Sequence, residues 1–474
     1  MLQTGGEIDG PSRAAVTAAY GAGALVVLGL ALALLAIPIQ VSDSFGNMLK
    51  LSTPWPQFVV QEFTQPSYLR PFLWMQLKAV HDVSGGHYYA WFRGVHVLQV
   101  IVLVGLYLHL IRPRTWRGAA AVPLGLAVLV GHHAFTGTVN EAFPINTFLT
   151  IVICCLAAAA LALGKERRTN SVLAVLLFAY AALSVESGLL VFVVFAAAAV
   201  TGARGVPRAG AVALVAALAG YFALRFAVLD VGTPSLSERA SGFGFSVLDP
   251  PELARRFTDR RLAFYTYNVV ASVLSVVFGE PRGGVYRLTD GLRLGAPYPS
   301  LVATAVASTA ASILIAVFAW RRLPAWRAWQ LTHDDRLVLL FLALLPANAV
   351  ISFPYTKDVI MSPAAAFMAL AAGVAARHLL IPATGGRGRV LALAACLLLS
   401  LTWSVRLLSL HVELRVAQHK VREEWAYVDD WIALQRLDVS DPHARALRDA
   451  LRDDALITRR PAGELAWARW RLFY

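Results

Sequence analysis

At 474 residues, 58% of them hydrophobic and only 15% charged, with a mean hydropathy of +0.60, the chain is far too apolar for a water-soluble domain of its size. A formal net charge of +13 would suit nucleic acid in a soluble protein, but here the basic residues sit mainly in short loops between apolar blocks, where they read as topology signals. The blocks run roughly 18 to 25 residues with almost no charge, the length an α-helix needs to cross about 30 Å of hydrocarbon, so the expected fold is all-α, a polytopic transmembrane bundle of about eleven spans.

The first block, 14–38, is too long for a signal-peptide core and follows Glu7, Asp9 and Arg13, so it is expected to remain as an anchor. A polar loop, 39–87, comes next. It carries Asp43 within Ser42-Asp43-Ser44-Phe45, then Ser67-Tyr68-Leu69-Arg70-Pro71, then His81 and His87. A carboxylate just beyond a span can take a proton from an incoming hydroxyl. It can equally cap the next helix or sit in water. Arg70 offers a bidentate fork to phosphate, although the commonest fate of one basic residue at a helix end is snorkelling to headgroups.

Spans at 88–111 and 118–134 flank Arg112, Arg114 and Arg117. His132 and His133 close the second and lead to Glu141; their spacing resembles no known ligand set, and no metal is expected. Spans at 145–163, 170–185, 187–201 and 209–229 follow, with Lys165, Arg167 and Arg168 in one connection and Arg204 and Arg208 in another. Between 170–185 and 187–201, Ser184-Val185-Glu186-Ser187-Gly188 interrupts a run too long for one crossing and right for two short ones. That turn holds Glu186 at membrane depth, which is unfavourable without a partner or a wet cavity. A solvated hairpin turn is the alternative.

The longest excursion, 230–297, contains Arg255, Arg256, Arg260 and Arg261 interleaved with Glu252 and Asp259, the pattern of an interfacial helix facing anionic headgroups. The apolar stretch 262–279 reads as re-entrant or interfacial. It is brief, it carries Tyr265, Tyr267 and Asn268, and a crossing there would reverse the loop bearing Arg321, Arg322 and Arg327. The alternative is twelve crossings with one loop against the charge bias. Spans at 298–320, 336–353, 359–380 and 388–407 complete the bundle, with Lys357 in one connection and Arg387 and Arg389 in the next. Cys154, Cys155 and Cys396 lie inside apolar blocks, as packing or lipid-facing residues. The tail, 408–474, mixes charges with Trp425, Trp431, Trp467 and Trp470 and reads as amphipathic helices on the outer face.

The five basic loops are expected to be cytoplasmic. The loops holding Asp43, Arg70, Glu141, Glu186 and Lys357 then share the opposite face, and ionisable groups that persist beside hydrocarbon are functional candidates by default. The expected organisation is a transmembrane domain over 1–407, with outer loops 39–87 and 230–297, followed by the tail.

These residues, in this order, resemble the GT-C membrane glycosyltransferases, in particular the branch of protein O-mannosyltransferases and their tetratricopeptide-bearing relatives. In that family an aspartate follows the first span, as Asp43 does. A Ser-Tyr-Arg-Pro-like element follows in the same loop, matched by Ser67-Tyr68-Leu69-Arg70-Pro71 with one inserted residue. A His-rich helix end leading to a glutamate matches Gly131-His132-His133 and Glu141 at a longer spacing. A Ser/Cys-Lys-Glu-x-Gly turn matches Ser184-Val185-Glu186-Ser187-Gly188, with Val185 where Lys is common. Lys357, followed by Met361-Ser362-Pro363, stands where an Arg is usual, which keeps the charge and loses the fork. The likeness covers about 14 to 380; the tail lies outside it, and no tetratricopeptide repeats are present.

The resemblance implies transfer of one sugar, with inversion, from a polyprenyl-phosphate carrier to an acceptor hydroxyl on a glycan, lipid or protein at the outer face of a cell membrane. Asp43 would be general base. Glu141 and Glu186 would orient the sugar or acceptor, Arg70, Lys357 and Tyr68 would hold the donor phosphate, and His132 and His133 would support the site. No cofactor and no nucleic acid are implied; the partners are donor, acceptor and membrane lipids. A secondary transporter is the rival from another class, disfavoured because the charges gather at one rim and no paired repeat is visible. A lipid-linked glycan ligase or polymerase is the other alternative, kept open by the arginines of the 230–297 loop.

Overall fold

The structure is a computed structural model that describes residues 11–35, 42–64, 68–140, 147–232, 235–236, 239–380, 398, 403, 432 and 438–457. Its helices in chain order are α1 (Arg13–Leu34), α2 (Ser42–Lys50), α3 (Trp55–Thr64), α4 (Pro71–Ser84), α5 (Tyr88–Ile111) and α6 (Trp116–Gly131). Next come α7 (His133–Asn140), α8 (Thr147–Ala162), α9 (Arg168–Ala182), α10 (Leu190–Val200), α11 (Arg208–Phe222) and α12 (Pro250–Phe257). The last six are α13 (Arg261–Phe278), α14 (Arg287–Arg293), α15 (Pro299–Arg327), α16 (His333–Ile351), α17 (Ser362–Leu379) and α18 (Pro442–Ile457). One hairpin, β1 (Ser241–Phe243) and β2 (Ser246–Leu248), is the sheet among the described residues.

Six of these stretches are long and apolar enough to cross a membrane: α1, α5, α11 with its continuation to Val228, the run Pro250–Phe278, α15, and Asp358–Leu379. The chain is therefore a helical membrane protein. The expected spans at 118–134, 145–163, 170–185 and 187–201 appear as shorter apolar helices, and α16 opens with His333 and the charged Asp334, Asp335 and Arg336. The expected span at 388–407 lies outside the described residues apart from Leu398 and Trp403.

The core is built on α17, whose residues 362–376 are all buried. Small residues let the neighbours approach closely, as they do in membrane bundles. Tyr107 of α5 wedges between Gly125 of α6 and Gly373 of α17; a Cβ on Gly125 would fall 1.7 Å from the Tyr107 oxygen.

The basic connections gather at one end of this bundle. Arg112 Nη2 donates to Leu163 O (3.4 Å), Arg377 Nη1 to Ile111 O (2.9 Å), Arg336 Nε to Thr201 O (3.1 Å) and Gly205 N to Ala162 O (3.0 Å). These bonds satisfy carbonyls that helix C-termini leave without intrahelical partners. At the same end Asp335 closes a capping box with Thr332 and accepts from Arg322 Nε and Nη2 and Trp326 Nε1 at 2.8 to 2.9 Å. Beside it, Asp334 pairs with Arg377 and His378.

The stretch 262–279 is not brief: α13 has 18 residues and continues from α12. A residue inside it and one just after it are nevertheless tied to one connection. Asn268 Nδ2 donates to Phe353 O (2.9 Å), and just past the helix Arg282 Nε donates to Asp358 Oδ2 (3.2 Å). Phe353 and Asp358 both belong to the link between α16 and α17, at the end opposite the basic loops. Within α12, Leu253 and Phe257 are buried while Arg255 and Arg256 are exposed, an amphipathic layer lying over α13.

A second cluster joins Met48, Leu51, Phe58, Leu73, Leu77, Tyr88 and Phe92 to Ala444, Leu447 and Leu451 of α18. The spacing of those three residues puts them on one face of α18. This part of the tail thus packs on the loop helices α2 to α4 and the start of α5.

Candidate functional site

Opposite the basic end, a cavity of about 410 Å3 opens among α4, α7, α8, α11, the turn between α9 and α10, and the α16–α17 connection. Its polar lining is Tyr68, Arg70, Glu186, Tyr221, Arg225, Arg239, Tyr355 and Lys357. Apolar side chains, among them Phe148, Leu189, Phe222, Phe226, Ile351 and Ile360, are interleaved with these, Arg225 lying over the Phe226 ring. Phe222 and Phe226 stack on each other along α11 and are 41% and 48% exposed.

Arg70 reaches the cavity because Pro71 opens α4 at its first position, where the missing N–H costs nothing, and because Phe72 N donates to Leu183 O (3.1 Å) at the end of α9. Its guanidinium grips one oxygen of Glu186, Nη2 at 2.6 Å and Nε at 3.1 Å. Glu186 begins a 3₁₀ turn, residues Glu186–Leu189, between α9 and α10. That turn fits only because residue 188 is glycine: a Cβ there would lie 2.0 Å from Ala181 O. The other Glu186 oxygen takes Arg225 Nη1 at 3.4 Å. Burial pushes the Glu186 carboxyl up, and the Arg70 ion pair and hydrogen bond, backed by Arg225, more than reverse this, leaving it below the usual carboxylate range.

Arg225 comes from a π-helical turn, residues Ala223–Val228, that extends α11. Such wide turns shift the helix register and recur at functional sites. The turn leaves Arg225 buried, with Nη1 donating to Tyr221 Oη at 2.9 Å, and its Nε has no acceptor among the described residues. Arg239, two residues before β1, lies against the rings of Tyr355 (5.2 Å) and Tyr68 (6.0 Å), while Arg70 covers Tyr68 at 4.4 Å. Lys357 stands exposed on the α16–α17 connection, which the hairpin pins through Thr356 N donating to Ser241 Oγ (3.2 Å).

Of the expected site residues, Tyr68, Arg70, Glu186 and Lys357 come together here. Glu186 is held by two arginines, which its carboxylate draws together on the cavity. His132 and His133 do not line the cavity. Both are buried in the core, stacked on each other, with His132 against Val276 O (3.2 Å) and the Trp403 ring, and His133 Nε2 3.9 Å from Asp358. The reason is packing: the end of α6 abuts α13 instead of the polar rim. Glu141 lies outside the described residues, as does the side chain of Asp43, whose backbone is in the first turn of α2. Leu73 lines the cavity and shares a buried cluster with Met48 and Leu51, so α2 packs behind the α4 wall. Among the described residues no group of three His, Cys, Asp or Glu side chains is placed to hold a metal ion.

Arg225, Arg239, Tyr221 and Tyr355 were not picked out from the sequence. Arg225 alone carried a signal there, as a charge inside the apolar block 209–229. Comparison with known proteins gives no match to this chain, whether to a protein family, a curated protein or a solved structure.

Proposed function

We propose that the protein is a membrane glycosyltransferase of GT-C type, which moves one sugar, joined through phosphate to a polyprenyl carrier, onto an acceptor hydroxyl. The observation that carries this reading is a cavity lined by both cations and apolar side chains. The cations suit a phosphate, and the apolar side chains, with Phe222 and Phe226 half-exposed, suit the start of a lipid tail. Charge bias puts the basic end in the cytoplasm and the cavity on the non-cytoplasmic side of a cell membrane, in a bundle of about eleven crossings with α13 re-entrant.

In this reaction the acceptor oxygen attacks the anomeric carbon as its bond to phosphate oxygen breaks. The acceptor proton passes to Asp43, and the lipid phosphate leaves into the field of Arg70 and Arg225. The clustering of charge at one end favours this over a secondary transporter, which places its site near the midplane. The three arginines of the cavity also suit a lipid-linked glycan ligase; transfer of a single sugar as opposed to a preassembled glycan separates the two.

The test is a reconstituted assay with a panel of polyprenyl-linked sugar phosphates. Asp43→Asn keeps size and removes basicity, so transfer should fall by about 10²-fold or more while donor binding persists. An unchanged rate would remove Asp43 as base and make Glu141 its first replacement. Failure of every donor to bind would end the glycosyltransferase reading.

A further inference from the structure

The cavity holds more positive charge than one phosphodiester calls for. Four cations line it, Arg70, Arg225, Arg239 and Lys357, against one carboxylate, Glu186, among the described residues. They divide into two sets. Arg70 and Arg225 share Glu186, so part of their charge is cancelled, yet the buried Arg225 Nε still lacks an acceptor. A buried donor without a partner is unfavourable, and a bound anion oxygen relieves it.

Arg239 and Lys357 form the second set. Neither has an ion pair or hydrogen bond among the described residues. Arg239 is held by the faces of Tyr68 and Tyr355, and face contact leaves the in-plane N–H edge of a guanidinium open for a fork of hydrogen bonds. The two sets adjoin, because the Tyr68 ring lies against both Arg70 and Arg239.

We propose that the cavity binds a lipid diphosphate head group, with one phosphate on Arg70 and Arg225 and the next on Arg239 and Lys357, in preference to a lipid monophosphate. This rests on reading the cavity as a lipid-phosphate site and specifies the link in the carrier. A sugar monophosphate diester brings one negative charge, which leaves one cation set unmatched. A sugar diphosphate brings two and matches both. The leaving group of the transfer is then a polyprenyl diphosphate.

The experiment measures binding of a polyprenyl-phosphate sugar and a polyprenyl-diphosphate sugar of equal chain length to the full chain in nanodiscs, with inorganic diphosphate as the competitor that separates head group from tail. The diphosphate lipid should bind at least about tenfold more tightly. Arg239→Gln and Lys357→Gln should each erase most of that preference, weakening the diphosphate lipid by more than the monophosphate lipid. Both residues lie outside the packed core, so the variants fold. Equal affinity for the two lipids would overturn the diphosphate assignment and leave the lipid-phosphate reading intact. Absence of binding by either lipid would overturn both. Inorganic diphosphate binding as tightly as the diphosphate lipid would show that the tail contributes nothing and that the site serves a soluble anion.

Discussion

Glu186→Gln tests the claim that this carboxylate organises the arginines of the cavity. The substitution preserves size and one carbonyl oxygen. That oxygen can still receive Arg70, now as a neutral acceptor, but the new amide nitrogen then faces Arg225 Nη1, donor against donor, where an oxygen stood at 3.4 Å. Arg70 loses the charge-assisted character of contacts at 2.6 and 3.1 Å. Breaking a buried pair from one side costs about 3–5 kcal/mol. Glu186 and Arg70 retain 24% and 19% side-chain exposure, and screening by solvent reduces the expected loss to about 2 kcal/mol. In a chain of this length that lowers the thermal midpoint by about 2–4 °C, readable through tryptophan fluorescence in detergent. The pH dependence has a definite sign. The wild-type carboxyl titrates below the usual range, so its contribution is present above about pH 4.3 and is lost as pH falls through the lower folded value. The variant should lack that acid limb. An unchanged midpoint together with abolished sugar transfer would refute the organising role and make Glu186 a chemical participant.

At the basic end, the Asp335 carboxyl is fully buried; burial alone would raise its pKa, but the hydrogen bonds from Arg322, Trp326 and Thr332 hold it down at about 2. Asp335→Asn should therefore cost about 2–3 kcal/mol near neutral pH, a difference that vanishes as pH falls from about 4 to 2; a midpoint equal to wild type at pH 7 would refute the network's contribution. Gly188→Ala forces a methyl into Ala181 O, a backbone atom that cannot swing aside, so it should cost about 3 kcal/mol or more and scramble the Glu186 turn. Normal stability and normal lipid-phosphate binding in that variant would show that the turn has room the geometry denies.

What the sequence made readable followed from the one strong constraint on the chain, that a charge beside hydrocarbon needs a reason. Glu186 stood out because it broke an apolar run, and the structure gives the reason as Arg70, which lies 116 residues earlier. Arg70 and Lys357 were visible at block ends, and both line the cavity. The same constraint applies to Arg225, which was not picked out because it lies inside the apolar block 209–229. Only the π-helical turn explains how it faces Glu186, and no composition rule announces a change of helical period over six residues. Arg239 counted only as one of the arginines of the 230–297 loop and Tyr355 gave no signal, because each sits among polar loop residues and their value comes from meeting across 116 positions of chain.

The two histidines show the opposite error. The family resemblance suggested a supporting place at the site, but membership in a rim is set by which neighbour packs over a helix end. Over α6 that neighbour is α13, whose Val276 carbonyl receives His132. The same contact explains why α13 resisted a simple span assignment. It is apolar enough to cross, yet Asn268 within it and Arg282 just beyond its end both reach the connection between α16 and α17. Two contacts at one end of the bundle are what the proposed re-entrant path requires. The cavity is bounded by that same connection, through Lys357 and Tyr355.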